Sequence, residues 1–531
     1  MNKSTRVFSV ILALLGLGSL PLMTYALATV NSTYIVDRLT DGNPTGGGEG
    51  TGLSGDLRYA IAHAQTDDHI TFSVTGTINL GGILPSLTHN ISIDGPGANL
   101  LVVHGAGGSV FGIGSNTTIV ISGLTITGGV GNGGGILNAG TLTLDNCAIS
   151  GNLAGDPTNG GGTGAGIWNY IDAKLTLNNS TISGNSAIGN LSYSASRGGG
   201  IANYGILTLN NSTVSGNSAT QGFGGGISNS LNTSTLTLNN STVSDNSATG
   251  GGGGIDNRGS FNAVNTIVAG NDISSPSPDL LGRLTSSGHN LIGNTTGGSG
   301  FRPDLGDLLN VNPLLGFLQN NGGPTETHGL LPGSPAIDAG DNAICPSTDQ
   351  RGVARSQGGQ CDIGAYELLH SSLTVLSIIR DGPNPTLDAN VNFTVTFSER
   401  VTGVDVSDFA LTTIGVSDAS ITGVSGSGEI RTVSVSTGSG YGTIRLDVVD
   451  DDSIVDAAAN PLGGIGIGNG NFMSGAVYTI NGYTISGNAG SDGVTLTYIV
   501  DGVTKTAISD INGNYSFRVP AGWSGIVTPS K

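Results

Sequence analysis

Between Gly128 and Asn271 a single pattern of apolar and polar positions is repeated five times. Each copy opens with a glycine run, an apolar residue and an asparagine, continues with leucine alternating with polar residues, and closes on asparagine. The alternation has the two-residue period of a β-strand, and no copy has the period of a helix. The closing asparagines lie 33, 32, 29 and 25 residues apart: Asn152, Asn185, Asn217, Asn246 and Asn271.

The repeat length predicts a fold built by stacking similar coils. Periods of about 20 to 50 residues are typical of solenoids and propellers. A propeller blade needs four strands and its own periodic aromatic residues, whereas only 5% of this chain is aromatic. A coil tolerates the drift in spacing, because extra residues bulge from a turn. We therefore predict an all-β fold dominated by a right-handed parallel β-helix, with about 4.8 Å of height per coil.

Two columns of asparagine are expected to stack at the turns of this β-helix. One is the closing column, and the other follows the alternating strand: Asn146, Asn179, Asn211 and Asn240. Stacked amides donate to and accept from the coils above and below, although Asn179 also begins an N-glycosylation sequon. The alternation predicts that Leu177 and Leu209 face the interior and that Thr176 and Thr208 face outward.

Composition narrows the class of protein. The chain has 531 residues, 92 glycines, 10% charged residues and a formal net charge of −19. Regularly spaced Ile, Val and Leu argue against a disordered chain. The acidic balance argues against nucleic acid as a partner, which requires a basic face, and is compatible with a divalent cation.

Residues 1–28 have the layout of a signal peptide. Lys3 and Arg6 form a charged start, an apolar core follows, and Ala26-Leu-Ala28 resembles a cleavage site. A membrane anchor is the alternative, but the core is short and no later apolar run reaches membrane-spanning length. We expect a secreted, extracellular or cell-surface protein without a transmembrane helix after signal cleavage.

Three cysteines cannot all pair with one another. Cys345 and Cys361 flank a glycine-rich loop and are predicted to form a disulfide, which export permits. A catalytic thiol at Cys147 would need a nearby histidine, and none occurs between Thr118 and Gly270. Cys147 is instead predicted to be a small free side chain inside the stack, because its slot holds serine in other copies: Ser180, Ser212 and Ser241.

Residues 29–118 are predicted to form an N-terminal cap and the first coils. A helix is expected over Gly55–Gln65, with Asp56 in its first turn and one apolar face that would cover the open end of the β-helix. The stretch Leu53-Ser-Gly-Asp-Leu-Arg-Tyr-Ala-Ile61 resembles a bacterial N-terminal module named for a Cys-Ser-Leu-Arg-Glu-Ala motif. That resemblance implies a repetitive surface protein.

The repeats, within residues 119–305, resemble those of right-handed parallel β-helix proteins, including polymorphic outer-membrane proteins with Gly-Gly-Ala-Ile repeats. The wider pectin-lyase-like fold includes polysaccharide lyases and hydrolases. The resemblance therefore leaves an enzyme and a non-catalytic surface protein as alternatives.

Residues 306–369 differ in character from the repeats. Motifs such as Leu331-Pro-Gly-Ser-Pro-Ala-Ile-Asp338 and Cys361-Asp-Ile-Gly-Ala-Tyr-Glu367 resemble the choice-of-anchor module, which ends β-helix surface proteins. That resemblance implies a C-terminal cap. An internal ion network is expected, and a Ca²⁺ or catalytic site is its rival; the charged residues are Arg351, Arg355, Asp338, Asp349, Asp362 and Glu367.

Two further β-modules are predicted after the cap. Residues 371–480 alternate like a β-sandwich, and Thr396-Phe-Ser-Glu-Arg-Val401 resembles bacterial immunoglobulin-like repeats. Residues 481–531 resemble a small carboxypeptidase-regulatory-like or adhesin module, possibly truncated. Clustered acids in the sandwich are weak Ca²⁺ candidates, with a solvated loop as the alternative: Asp450, Asp451, Asp452 and Asp456.

The repeats lack the residues that carbohydrate cleavage requires. A glycosidase needs two acids about 5 to 9.5 Å apart, but Asp145 and Asp245 lie at different repeat offsets, and only Asp256 and Arg258 are close together. We predict a non-catalytic surface or adhesive protein that binds a glycan or protein ligand, needs no cofactor except possibly Ca²⁺, and has no catalytic residues. The alternative is a polysaccharide lyase or glycoside hydrolase of the pectin-lyase-like fold.

Overall fold

The structure is a computed structural model. It describes residues 31–155, 161–190, 195–272, 277–357, 359–369, 373–456, 460–464, 466–500, 502–519 and 523–531. The predicted signal peptide lies outside these residues. Among the described residues, no helix is long and apolar enough to cross a membrane.

Three long sheets of mainly parallel strands form a β-helix. The twelve-stranded sheet comprises, in spatial order, Gly50–Thr51, Ser54–Gly55, Thr33–Val36, His69–Phe72, Ile91–Asp94, Thr118–Ser122, Thr141–Asp145, Lys174–Asn178, Ile206–Asn210, Thr235–Asn239, Ser260–Val264 and Thr285–Ser286. The ten-stranded sheet comprises Gly76–Asn79, Leu101–His104, Thr125–Thr127, Ala148–Ser150, Thr181–Ser183, Thr213–Ser215, Thr242–Ser244, Ile267–Val268, Leu291–Ile292 and Leu308–Leu309. The eight-stranded sheet comprises Phe111–Ile113, Ile136–Asn138, Ile167–Asn169, Ile201–Asn203, Ile227–Asn229, Ile255–Asn257, Leu280–Arg283 and Gly298–Ser299.

Two smaller parallel sheets lie between the ten-stranded and eight-stranded sheets along the chain. One comprises Leu153–Ala154, Ser186–Ile188, Ser218–Thr220 and Ser247–Ala248, and the other Ser196–Arg197 and Gly222–Phe223. The predicted all-β fold with a parallel β-helix is therefore confirmed.

Equivalent positions of successive copies are in register, which builds one continuous core. Leu144 pairs with Leu177, and Leu177 with Leu209. These leucines are buried, whereas Thr176 and Thr208 are only half-buried on the other side of the strand. Because each strand alternates in this way, the apolar side chains of every coil stack on those of the coil below.

Amide ladders run along the β-helix. In the closing column each Nδ2 donates to the Oδ1 of the next coil over 2.9 to 3.0 Å, from Asn152 to Asn271. The last amide donates to the buried carboxylate of Asp279 over 2.8 Å. A further ladder, which we did not predict, has steps of 2.7 Å through the interior: Asn138, Asn169, Asn203, Asn229 and Asn257.

The other ladder forms one residue earlier than we expected. The residues predicted to form it have positive φ angles, from 44° to 53°, and turn the chain between sheets: Asn146, Asn179, Asn211 and Asn240. Two of these side chains bind elsewhere, because Asn211 donates to the Thr348 carbonyl and Asn240 to the Cys345 sulfur. The side-chain hydrogen bonds of the ladder join instead the half-buried residues that precede these asparagines: Asp145, Asn178, Asn210 and Asn239.

A single helix packs at the N-terminal end of the β-helix. It covers Leu57–His63, which is shorter than the predicted span, and Asp56 is its N-cap, accepting from the Tyr59 amide over 2.7 Å. The helix contributes Leu57 and Ile61 to the core of the first coils. Arg58 is also buried and pairs with Asp41 at 2.6 Å.

Residues 306–369, which we call the strap, begin in the last coil, where Leu308–Leu309 is the terminal strand of the ten-stranded sheet. They also contain the hairpin formed by Leu315–Gln319 and Thr327–Leu330, and otherwise irregular chain. The strap lies along the outer face of the ten-stranded sheet, where outward threonines and serines supply hydrogen-bond partners. Three successive strands contact it: Thr181 Oγ1 donates to the Glu326 carbonyl, Thr213 Oγ1 to Gln350 Oε1, and Thr242 Oγ1 accepts from the Ala365 amide.

Antiparallel sheets follow the strap. A four-stranded sheet has the order Val375–Arg380, Asn390–Phe397, Ile430–Ser436, Ser420–Ser427, and a three-stranded sheet the order Phe409–Ser417, Ser439–Val448, Val477–Ile480. They share one apolar core, as in a sandwich. The last module pairs Tyr483–Asn488 with Asn514–Val519, and Thr495–Val500 with both Val503–Ile508 and Thr528–Ser530. Short 3-10 helices span Pro303–Leu305 and Val406–Asp408.

Candidate functional site

The candidate site lies on the outer face of the eight-stranded sheet. Five successive strands here have an isoleucine and an asparagine facing the interior, so the middle residue of each points away from the interior, as Trp168 does between buried Ile167 and Asn169. One outward column is formed by these middle residues: Leu137, Trp168, Ala202, Ser228 and Asp256. A second column lies two residues later in each copy: Ala139, Tyr170, Tyr204, Ser230 and Arg258.

Aromatic side chains occupy one half of this face. The ring centroids of Trp168 and Tyr170 are 4.3 Å apart, and those of Trp168 and Tyr204 are 6.1 Å apart. Tyr170 is exposed, and the other two rings are half-buried. The Trp168 Nε1–H is buried and makes no hydrogen bond with any described residue. A buried indole N–H normally has an acceptor, so this donor is oriented for an acceptor that the described chain does not supply.

Charged side chains occupy the other half. The Asp256 carboxylate has only 2% of its side chain exposed and lies 3.6 Å from Arg197 Nη1 and 3.4 Å from Arg258 Nε. Ser228 Oγ donates to it over 3.3 Å. Burial raises the pKa of Asp256, against the opposing pull of both arginines. Arg197 Nη1 is itself buried without a hydrogen bond to any described residue.

The ring of Phe223 contacts both arginines. Phe223 pairs with Arg197 in the small two-stranded sheet, so its ring lies one coil beyond that arginine. The guanidinium carbons of Arg197 and Arg258 lie 5.8 and 5.4 Å from the ring centroid, within cation–π distance. The ring therefore holds both guanidinium groups in place, with the Arg197 and Arg258 side chains 25% and 43% exposed.

The whole face is long and narrow. Trp168 and Asp256 are three coils apart, which is about 14 Å at the strand spacing of a parallel sheet. The face thus presents aromatic rings at one end and paired arginines at the other, over a length suited to an extended ligand.

Only part of this face was predicted from the sequence. Asp256 and Arg258 were expected as an isolated surface pair, and the structure adds Arg197 two coils away, with Phe223 between them. The aromatic residues carried a signal, since Trp168, Tyr170 and Tyr204 stand at repeat positions that are outward in every copy. The other acids considered lie elsewhere: Asp145 accepts from the Asn178 amide, and Asp245 lies 3.8 Å from His328 of the strap.

The arginines of the strap form buried ion pairs. Arg351 lies 2.8 Å from Asp349, and Arg355 lies 3.2 Å from Glu367. Arg351 also lies 3.6 Å above the ring of Tyr366. These contacts fix the fold of the strap and leave its arginines unavailable to ligands.

Asp362 belongs to the same network without a side-chain partner among the arginines. Arg355 donates to its backbone carbonyl, and its carboxylate accepts from the amides of Asp338 and Leu368. Burial, followed by repulsion from Glu367, raises the pKa of Asp362 to about 7. Within the described part of the chain, no group of three or more His, Cys, Asp or Glu residues could hold a metal ion.

The acids proposed as Ca²⁺ ligands in the sandwich bind backbone amides. Asp450 accepts from the amides of Asp452, Gly468 and Gly470. Asp451 accepts from the Ser453 amide, Asp452 from the Gly466 amide and Asp456 from the Asn460 amide. Asp450 and Asp452 therefore hold the glycine-rich loop that follows them, whereas Asp451 is exposed.

The cysteines have structural environments. Cys345 and Cys361 form a disulfide within the strap. Cys147 is free and fully buried, and burial raises its pKa to about 12, so its thiol stays protonated. Its backbone amide donates to Ser180 Oγ of the next coil over 3.1 Å.

No protein-family model and no curated protein matches the chain. We therefore infer function from the geometry of the eight-stranded face and from the sequence motifs.

Proposed function

We propose that this protein is a non-catalytic, secreted or cell-surface repeat protein that binds carbohydrate on the outer face of its eight-stranded sheet. The observation that carries the proposal is the alignment of partly exposed aromatic rings with two arginines on one strip, where Trp168 Nε1 and Arg197 Nη1 are buried donors that make no hydrogen bond with a described residue.

The chemistry of the face suits a sugar polymer. Aromatic rings have electron-rich faces that attract the C–H groups of a sugar ring. Guanidinium groups form paired hydrogen bonds with carboxylates, so the Arg197 and Arg258 end favours an acidic sugar. A shallow strip about three coils long matches several consecutive units better than a single small molecule.

The same face is poorly suited to cleavage. Asp256 has two arginines and Ser228 as its partners, so its carboxylate is held in ion pairs. A general acid or base must reach the substrate within hydrogen-bond distance, whereas this carboxylate is buried beneath the arginines. A lyase or hydrolase of the pectin-lyase-like fold remains the alternative function.

Location and family belong to the same proposal. A signal peptide in residues 1–28 and a disulfide in the strap both fit an oxidising environment outside the cytoplasm. The motifs of residues 306–369 support membership of the choice-of-anchor type of surface protein, with an immunoglobulin-like sandwich and an adhesin-type module after it. A protein ligand on the same face is a second reading of the adhesive role.

Binding of the full chain to immobilised acidic and neutral polysaccharides tests the proposal. Trp168→Ala and Tyr204→Ala should each weaken retention of the best ligand at least tenfold, and Arg197→Gln should weaken acidic ligands most. Phe317→Ala is the matched control, because Phe317 is 89% exposed on the strap hairpin and lies off the face. Unchanged retention of the Trp168 and Tyr204 variants would refute a site on this face.

The enzyme alternative is tested with the same polymers. We expect no release of unsaturated uronates or reducing ends, with or without Ca²⁺. Turnover that disappears in Asp256→Asn would favour the lyase or hydrolase instead.

A further inference from the structure

A cavity lies between the sandwich and the last module. Its volume is about 630 Å³, within the range of ligand pockets in proteins. One wall is the segment 383–389 of the sandwich, and the other is the hairpin formed by Thr495–Val500 and Val503–Ile508. The two modules meet here, because Leu387 packs against the apolar core of the last module.

The hairpin wall has an apolar floor with a cation at its edge. Tyr498 pairs with Lys505 and Val500 with Val503, so all four side chains lie on the same face of the hairpin. Tyr498 and Val500 are buried, whereas Val503 and Lys505 are exposed. An apolar group inside the cavity would contact the two valines and the tyrosine ring.

Two cations of this cavity have unused donors. Arg518 donates through Nη2 to the Gly438 carbonyl of the sandwich, which fixes its guanidinium group across the junction. Its Nη1 is buried and has no hydrogen-bond partner among the described residues. Lys505 makes no hydrogen bond or ion pair with the described chain.

The opposite wall supplies little negative charge to satisfy those donors. Asp388 is the acid of the described cavity lining, and its carboxylate accepts from Thr386 Oγ1 over 3.1 Å within its own segment. The described cavity therefore combines an apolar floor with two positive charges and one negative charge.

We propose that this junction binds a small carboxylic acid with an apolar body, whose carboxylate contacts Arg518 and Lys505 and whose body lies on Tyr498 and Val500. A buried guanidinium N–H without an acceptor is costly, and a carboxylate would complete it with a charge-assisted hydrogen bond. The site is independent of the carbohydrate-binding face, since its residues belong to different modules.

Calorimetry on the full chain with 3-phenylpropanoate, and with the uncharged 3-phenylpropanamide, tests the carboxylate requirement. We expect the acid to bind at least tenfold more tightly than the amide. A short peptide ending in phenylalanine distinguishes a peptide terminus from a free acid as the source of the carboxylate, and binding of either supports the site. Failure of both acids to bind, or equal binding of acid and amide, would overturn it.

Two variants assign the binding to this junction. Arg518→Gln should weaken binding of the acid at least tenfold. Lys505→Glu should weaken binding by a similar factor, and misfolding cannot explain that loss because Lys505 is exposed. Arg302→Gln, on an exposed arginine of the β-helix, should leave binding unchanged. Binding that survives both Arg518→Gln and Lys505→Glu would place the acid elsewhere and defeat the proposal.

Discussion

At the scale of single residues, hydrogen bonds between buried amides hold successive coils together in addition to apolar packing. From Asn185 onward, each asparagine of the closing column accepts from both the backbone amide and the side-chain amide of the asparagine in the preceding coil. Asn217 Oδ1, for example, accepts from the Asn185 backbone over 3.0 Å and from Asn185 Nδ2 over 2.9 Å. Each such residue therefore fixes the register between two coils as well as the turn in its own.

Replacing one member of this column should strongly lower the free energy of unfolding. Asn217→Ala would leave the Asn185 backbone amide without its acceptor and would remove the side-chain hydrogen bonds to Asn185, Asn246 and two carbonyls in a dry interior. We expect a loss of about 3 kcal/mol or more in the free energy of unfolding. Asn210→Ala is the matched control in the half-buried ladder, and it should cost about 1 kcal/mol. Denaturant unfolding measures both. Equal losses would show that the interior ladder has no special role.

Asp362 should give stability a distinctive pH dependence. Its pKa is raised to about 7 in the folded strap, while an unfolded aspartate titrates near about 3.9. The folded protein therefore retains a proton that the unfolded chain releases, so this residue favours folding at acidic pH and loses that contribution as pH rises from about 4 to about 7.

The variant Asp362→Asn isolates this effect. It should flatten the decline in unfolding free energy between about pH 4 and about pH 7, even though it loses one backbone hydrogen bond at every pH. The slope is the relevant quantity, because burial also raises the pKa of Asp256 and Asp279. A variant with the wild-type slope would contradict a protonated Asp362.

At the scale of secondary-structure elements, the sequence predicted the inward and outward alternation within each strand, but it did not predict side-chain contacts between different strands. The alternation of leucine and threonine is local, so it correctly assigned Leu177 to the interior and Thr176 to the surface. The contact between Arg197 and Asp256 is not local. It spans two coils of unequal length and passes over Phe223, and nothing in the repeat aligns these three residues.

The asparagine columns illustrate the same limit. A repeated asparagine predicts a repeated environment, but the alternation alone does not say whether a turn residue faces the interior. Asn179 has φ 49°, a left-handed conformation that ends the strand pattern, so the ladder forms at Asn178 instead. Turn geometry, rather than strand periodicity, decided that column.

The two faces of a strand should respond very differently to charge. Leu177→Asp would bury an unpaired carboxylate between Leu144 and Leu209, at a cost of several kcal/mol. Thr176→Asp, on the half-buried outer side, should change the unfolding free energy by about 1 kcal/mol or less. Thermal unfolding distinguishes the two variants, and similar midpoints would contradict the assignment of faces.

At the scale of the whole molecule, the sequence predicted a β-helix followed by further β-sheets, but it did not predict how the strap packs. The motifs of residues 306–369 suggested a C-terminal cap. The strap begins with the last strand of the ten-stranded sheet. It lies along the ten-stranded sheet because the outward residues there are short and polar, leaving both space and hydrogen-bond partners for its backbone. That complementarity is distributed over residues more than 100 positions apart, such as Thr213 and Gln350, and has no local signature.

Gln350 is the side chain through which the strap is most firmly anchored. It is buried, its Oε1 accepts from Thr213 Oγ1 over 2.7 Å, and its Nε2 donates to Thr181 Oγ1 and Thr325 Oγ1 over 2.8 Å each. It therefore connects two coils of the β-helix with the hairpin region of the strap, and its removal should loosen the strap without unfolding the coils.

The variant Gln350→Leu keeps the approximate size of the side chain and removes its hydrogen bonds, including one to the Glu326 carbonyl. We expect hydrogen exchange to accelerate at strap amides that bind the β-helix, those of Gly364 and Ala365, by at least tenfold, because docking loses about 2 kcal/mol or more. The amides of the interior strands should keep their protection. Gln357→Leu, on an exposed glutamine of the strap, is the control and should change neither region. Equal acceleration in the strap and in the coils would mean that the two unfold as one unit, and the strap would then be part of the β-helix core rather than a segment docked on its surface.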